Sequence, residues 1–295
     1  MMNGELIASR LLEIDGRRHR VYLAGTGAPP VVFEPAIGDV GLTWALVQAE
    51  VAGTTSTFTH DRPGLGGSDP SALPRTVDVM VDELRTALAT ADIAPPYVLV
   101  GHSFSSLTVQ AFAHRHPESV RGIVLVDGAH EDQMDRFPPE LTPRAMLASF
   151  AEQLRQLAEA VRRGESLPEL MPPPQSFPEP LAGAYREATS PTPDRLETAA
   201  AEYDDLQESQ EQVRALCGSS LGVIPIIALR HGIPQSMPNV SDEVNQRYEA
   251  AWQQMQDELA GRSNSGQVVI AEGAGHMIHH DRPELVAEAI RNLLQ

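Results

Sequence analysis

The sequence has no lysine, a single cysteine, few aromatic residues and no apolar run long enough to span a bilayer. Every fixed positive charge is therefore an arginine. That removes Schiff-base chemistry, pyridoxal attachment and the phosphate-binding lysine of a P-loop. One cysteine, Cys217, leaves no internal disulfide and no cysteine-based zinc site. Positive charge is also scarce in total: 22 basic residues face 40 acidic ones, for a net charge of −18. Nucleic acid and anionic membrane surfaces need basic patches, so neither is an expected partner. A small, neutral, partly apolar substrate is expected instead. Met1 to Ile14 carries Glu5 and lacks both a basic stretch and an apolar core, so no signal peptide is expected and a cytoplasmic location follows. No internal repeat or low-complexity tail is evident.

What is present organises around Tyr97-Val98-Leu99-Val100-Gly101-His102-Ser103-Phe104-Ser105-Ser106. The apolar run reads as a buried strand, and Leu107 to His114 has helical character. A serine at a sharp strand-to-helix turn is a nucleophile elbow, which exposes the hydroxyl above the sheet. The usual pattern is G-x-S-x-G, and here the last glycine is Ser105. A surface turn between strand and helix is the plainer reading of the motif taken alone.

Around this stretch, strand and helix signals alternate. Asp15-Gly16 marks a hairpin turn between two apolar stretches. Val31-Val32-Phe33 runs into the loop Glu34 to Gly41 and a helix containing Trp44. Ser56 to His60 is a strand followed by Asp61-Arg62-Pro63-Gly64-Leu65-Gly66-Gly67-Ser68. Val77, Met80, Val81, Leu84 and Leu88 repeat at helical spacing. Ile123 to Val126 ends at Asp127-Gly128. The alternation predicts an α/β fold: a mostly parallel central sheet with helices on both faces. The pattern then breaks. Met146, Phe150, Leu154, Leu157 and Val161 mark one amphipathic helix. Pro168 to Pro180 is a proline-rich connector, and Leu196 to Leu216 predicts a second, mostly polar helix. Residues 131–222 are thus expected to form an inserted helical cap, with residues 1–130 and 223–295 as the core. Within the cap, Met146, Phe150, Phe177 and Tyr185 either line an apolar pocket or pack on the core. Ile224 to Leu229 resumes the sheet and Val268 to Ile270 is the last strand. It opens into Glu272-Gly273-Ala274-Gly275-His276. A final helix is expected from Asp281, with Glu284 completing a capping box.

In this order the parts resemble the α/β-hydrolase family over essentially the whole chain. The matching pieces are Glu34 to Gly38 with Trp44, Asp61 to Ser68, Gly101 to Ser105, Val126-Asp127 and Gly275-His276. The nearest likeness is to lidded esterases, bromoperoxidase-like proteins and proline-iminopeptidase-like proteins. The resemblance implies that Ser103 is the nucleophile and His276 its base. It places the oxyanion donors on the backbone of Phe104 and of Ile37, with Ala36 as the alternative, because Pro35-Ala36 replaces the family's His-Gly pair. The family often carries its acid after the strand Ile224 to Leu229, where this chain has none. Asp127, at the end of the strand before the cap, is the leading candidate. Asp242 is the alternative, although Ser241 makes it look like a helix start, and the absence of a working acid is a third possibility.

The remaining polar residues at strand ends read mainly as structural. Glu34 and Asp61 are expected to brace loops, with Asp61 and Arg62 tying their own turn. His102 is expected to pack away from Ser103. His130 and Asp132 are candidates for the mouth of the site or for solvated cap residues. His276, His279 and His280 have metal-like spacing, but no carboxylate or cysteine accompanies them, so no metal and no cofactor is expected. Three classes of function stay open. The first is a serine hydrolase of esters, lactones or small amides. The second is cofactor-free non-hydrolytic chemistry such as perhydrolysis, cyclisation or isomerisation. The third is a binding or receptor protein. Epoxide hydrolysis and dehalogenation on this fold use a carboxylate nucleophile, which Ser103 is not.

Overall fold

The apolar runs assemble into one eight-stranded sheet. In a computed structural model, which describes residues 7–216 and 220–295, the order is β1-β2-β4-β3-β5-β6-β7-β8. The strands are β1 (Ala8–Ile14), β2 (Arg17–Ala24), β3 (Val31–Glu34), β4 (Thr57–His60), β5 (Tyr97–His102), β6 (Val120–Val126), β7 (Ile226–His231) and β8 (Gly266–Ala271). β2 pairs antiparallel with both β1 and β4, and all other neighbours are parallel. The β1–β2 turn is Asp15-Gly16, both at positive φ (50° and 74°), the geometry of a type I′ hairpin. Cys217 and Met1 to Leu6 lie outside the described residues.

The helices are α1 (Ala45–Val51), α2 (Val77–Thr90), α3 (Ser105–Arg115), α4 (Gln133–Arg136), α5 (Pro143–Arg162), α6 (Glu179–Ala188), α7 (Pro193–Asp204), α8 (Leu206–Leu216), α9 (Asp242–Gly261), α10 (Ile278–Asp281) and α11 (Pro283–Leu294). Strand side chains alternate between two cores, as the period of two requires. Val32, Leu99, Leu125 and Ala228 meet α2, α3 and α9 on one face. Val31, Val98, Val100 and Leu229 meet α1 and α11 on the other. Buried on both faces, the parallel strands read as nearly continuous apolar runs.

Among the described residues no strand lies between β6 and β7; that stretch carries α4 to α8, with α5 packed on α7. Here the structure departs from three sequence expectations. The helix expected over Leu196 to Leu216 breaks at Asp205 into α7 and α8. The proline-rich connector ends in a helix of its own, α6, entered through Pro178. The capping box at Asp281 is not formed. α11 begins at Pro283 without a side-chain cap, and the Asp281 carboxylate instead accepts the Gly275 N–H at 2.9 Å. Asp281 closes the short helix α10 rather than opening α11, whose N-cap position falls to Arg282, so its carboxylate turns to the adjoining loop.

The two-face packing sets a stability contrast. Leu99→Ala removes a fully buried side chain at the sheet centre, whereas Leu11→Ala removes one 46% exposed on the edge strand. Urea titration is expected to show a loss of about 2–5 kcal/mol for Leu99→Ala and of less than about 1 kcal/mol for Leu11→Ala.

Candidate active site

β5 delivers Ser103 to the site through a turn the backbone resists. Ser103 has φ 52°, a left-handed conformation that costs an L-residue about 1–2 kcal/mol. The turn is held by Ser103 N–H to the Val126 carbonyl (3.1 Å) and by Ala129 N–H to the Ser103 carbonyl (2.9 Å). Gly101 is required by close approach: a Cβ there would lie 2.5 Å from the Ser105 carbonyl oxygen. Ser105 also has a use of its own, because its hydroxyl donates to the Pro35 carbonyl. The residue that departs from the elbow pattern thus ties the elbow to the loop after β3.

Asp127 stands at the end of β6, also left-handed at φ 45°, with its carboxylate fully buried. His276 Nδ1 donates to its Oδ2 at 2.6 Å. Oδ1 accepts Trp252 Nε1 at 2.9 Å and the His231 N–H at 3.2 Å, and His231 Nδ1 lies 2.9 Å from both oxygens. An ionised carboxylate only accepts, so both imidazoles face it with an N–H. Burial alone would raise the Asp127 pKa. The hydrogen bonds from His231 and His276, with the charge on the His231 ring, outweigh it and hold the carboxyl well below its usual range.

His231 joins the site without a sequence motif of its own. Its other nitrogen, Nε2, reaches the Glu249 carboxylate at 3.0 Å. A ring with a carboxylate at each nitrogen is an imidazolium. Burial pulls its pKa down, but the bonds to Asp127 and Glu249 prevail and raise it to about 9. Its one signal in the sequence is its place at the end of β7, one strand over from Asp127.

The other sequence candidates sort as follows. Ser103, His276, Ile37, Phe104 and Ala36 border one cavity of about 320 Å³. Among the described residues neither the Ile37 nor the Phe104 N–H has a protein acceptor. Asp242 begins α9, where Ser241 caps the Val244 N–H, and it borders a separate groove. Asp61 braces its turn by accepting from the N–H groups of Gly41 and Gly67 and from the Tyr22 hydroxyl. The Arg62 carbonyl closes the turn by accepting the Leu65 N–H at 2.9 Å, but its guanidinium points away from it. It reaches the Pro35 and Ala36 carbonyls and the Glu202 carboxylate instead. Glu34 receives His60 Nε2 at 2.6 Å. His102 is buried and donates to the His276 carbonyl at 3.0 Å, and burial pushes its pKa well down. It therefore holds the backbone of the residue beside which it packs.

His130 and Asp132 do not border the cavity; Ala129 and Gln133 do. His130 is buried against Glu131 and Arg262. His130, Glu131 and Asp132 bring ligand atoms within 4.8 Å of one another, but Arg262 already bonds both Glu131 oxygens at 2.6 Å. His279 and His280 share the Thr43 hydroxyl. Of the apolar residues noted between β6 and β7, Met146 borders the cavity. Phe177 and Tyr185 pack with Tyr22 and Val40, and Phe150 is 41% exposed against Tyr203. The cavity wall is completed by Phe137, Tyr248 and Trp252.

An eight-stranded, mostly parallel sheet with an elbow serine at its centre defines an α/β hydrolase. A family model described as the alpha/beta hydrolase family matches residues 21–289, and the chain belongs to that family. It is 27% identical over 275 residues to the Bacillus subtilis protein YqjL, covering 92% of this chain and 86% of that one. It is 23% identical over 290 residues to an AB hydrolase superfamily protein of Gibberella zeae, covering 90% of this chain and 86% of that one. Among solved structures, the Cif epoxide hydrolase from Acinetobacter nosocomialis superposes with a TM-score of 0.74 at 16% identity, covering 100% of this chain and 91% of that one. The epoxide hydrolase VrEH1 from Vigna radiata gives 0.71 at 16% identity, covering 98% of each chain. Both likenesses are of fold.

The His231 imidazolium predicts a pH dependence of stability. Its folded pKa of about 9 lies above the ordinary 6.5, so its contribution is present below 6.5 and lost as pH rises through about 9. The thermal midpoint of the native protein is expected to fall more steeply between about pH 7 and 10 than that of His231→Gln. Parallel curves would place the imidazolium elsewhere.

Proposed function

We propose that this α/β hydrolase is a serine hydrolase that cleaves a carboxylic ester, lactone or small amide through Ser103, His276 and Asp127. The observation that carries the reading is the 2.6 Å contact of His276 Nδ1 with the buried Asp127 carboxylate, beside the cavity that Ser103 also borders. With Nδ1–H committed to Asp127, the remaining ring nitrogen, Nε2, is the base. It takes the Ser103 proton as the hydroxyl attacks the carbonyl and then delivers it to the leaving group. The oxyanion is received by the Ile37 and Phe104 N–H groups, whose lack of protein acceptors among the described residues supports that role. Water then hydrolyses the acyl-enzyme by the same base.

The walls support the proposed substrate class. Met134, Phe137, Leu147, Tyr248 and Trp252 are apolar, and no arginine among the described residues borders the cavity. Its volume of about 320 Å³ suits a small, neutral, partly apolar molecule. Residues 131–222 act as a cap, contributing Met134, Met146, Met171 and Tyr203 to that wall. The reaction requires no cofactor, and no nucleic acid or membrane takes part. No helix among the described residues is long and apolar enough to cross a membrane. A reducing cytoplasm is the location proposed. Epoxide opening is disfavoured by the chemistry of the nucleophile. A serine that opened an epoxide would form an ether, which has no carbonyl for water to attack, and turnover would stop.

Initial rates on p-nitrophenyl esters test the assignment. Ser103→Ala is expected to fold and to lose a factor on the order of 10⁴–10⁶ in kcat, as removal of a triad nucleophile does. Asp127→Asn is expected to lose a factor on the order of 10²–10⁴, because an amide does not stabilise the imidazolium. A folded Ser103→Ala protein with near-native rates contradicts the reading.

A further inference from the structure

α7 is inserted far from the loop after β3 in sequence, yet it lies directly on it. Arg195, Thr198, Ala199 and Glu202 are spaced i, i+3, i+4 and i+7, so they share one helical face. Both charged ends of that face are buried, Glu202 fully and Arg195 to 4% exposure. Glu202 Oε2 accepts the Gly38 N–H at 2.8 Å, and Arg195 Nη2 donates to the Gly38 carbonyl at 2.9 Å. One helix therefore grips Gly38 at both of its backbone groups.

The grip continues through Arg62. Glu202 takes Arg62 Nε at 2.7 Å and Nη2 at 2.8 Å. The same guanidinium donates to the Pro35 carbonyl at 2.6 Å and the Ala36 carbonyl at 2.7 Å. Pro35, Ala36 and Gly38 are thus fixed on either side of Ile37, whose N–H has no acceptor among the described residues. The fit is close elsewhere on the same face: a Cβ on Gly64 would lie 2.0 Å from Thr198 Oγ1. A buried ion pair is a poor source of stability, since well-packed apolar residues do as well. Its geometric specificity is what this pair supplies.

We propose that α7 sets the oxyanion loop: Glu202 and Arg195 are positioning residues that hold Gly38 and orient Arg62, so that the Ile37 N–H faces the reacting carbonyl only while α7 is seated. The inference rests on the serine-hydrolase reading of Ser103 and adds a coupling between the inserted helices and the chemistry. Lifting α7 to admit substrate withdraws both bonds to Gly38. Seating it restores the second oxyanion donor, so closure and activation are one event.

Glu202→Gln tests this. The amide keeps the shape, but its NH₂ cannot accept from Arg62, so the clasp on Gly38 loosens. Removing an oxyanion donor costs on the order of 10²–10³ in kcat, and displacing one costs less. Glu202→Gln is therefore expected to lower kcat about 10- to 100-fold with KM within about twofold. Affinity for a trifluoromethyl ketone, which forms a tetrahedral adduct with the serine, should fall by the same factor. Glu197→Gln, on the exposed side of the same helix, should change neither. A role in stability alone would lower the melting temperature and leave both readouts of the folded protein unmoved. Should Glu202→Gln not fold, Arg195→Gln, which leaves the Arg62–Glu202 pair intact, carries the same expectation. A folded variant with kcat and ketone affinity within about twofold of native overturns the inference, while native ester turnover leaves the hydrolase reading standing. Absence of ester turnover in the native protein overturns both.

Discussion

The arrangement depends on one buried carboxylate. Asp127 has no exposed surface, and an unpaired carboxylate in such a place would be strongly disfavoured. It is kept ionised by donors from three separate parts of the chain: His231 at the end of β7, Trp252 on α9, and His276 in the loop after β8. Each arrives because the sheet order sets β6, β7 and β8 side by side with their carboxyl ends together. Removing any of these elements would leave the charge undersatisfied. The fold and the proposed chemistry therefore share a single point of support.

The same edge of the sheet collects the strained backbone. Ser103 and Asp127 are both left-handed non-glycine residues at the ends of adjacent strands. Ser103 N–H to the Val126 carbonyl ties the first turn to the end of β6, and Asp127 N–H to the Leu229 carbonyl ties the second to β7. Around them lies a shell of polar residues that hold the neighbouring loops by hydrogen bonds. His102 holds the His276 backbone, Asp281 holds Gly275, and Arg62 with Glu202 holds the loop of Ile37. With α7 seated, these bonds fix the loops around the cavity in one arrangement, the preorganisation that the proposed chemistry needs.

Much of this is legible in the amino-acid order. Long apolar runs and Gly-rich turns mark the strands, and the elbow motif and Gly275-His276 mark their ends. The contact of Asp127 with His276 follows from the position of a lone carboxylate at a strand terminus. The pairings that cross from the inserted helices to the core are not legible. Nothing local in Leu196 to Leu216 shows that the helix breaks at Asp205, or that Glu202 faces Arg62 across 140 residues of chain. A motif displays only short-range partners, which is why Asp61-Arg62 reads as one turn while the Arg62 guanidinium bonds elsewhere. His231 is inconspicuous for a similar reason: the family's acid would stand after β7, and here a partner of the Asp127 carboxylate stands there instead. Asp281 reads as a cap by spacing, yet it ends the short helix α10 and binds the loop that carries His276.

The central claim is that Asp127, through His276, makes Ser103 a nucleophile. Labelling with a fluorophosphonate, followed by mass spectrometry of the modified peptide, tests it most directly, because only an activated serine reacts. The account predicts one label per chain, on Ser103, with the rate of labelling strongly reduced in Asp127→Asn. Folded native protein that takes no label, or takes it equally fast without the Asp127 carboxylate, would contradict it.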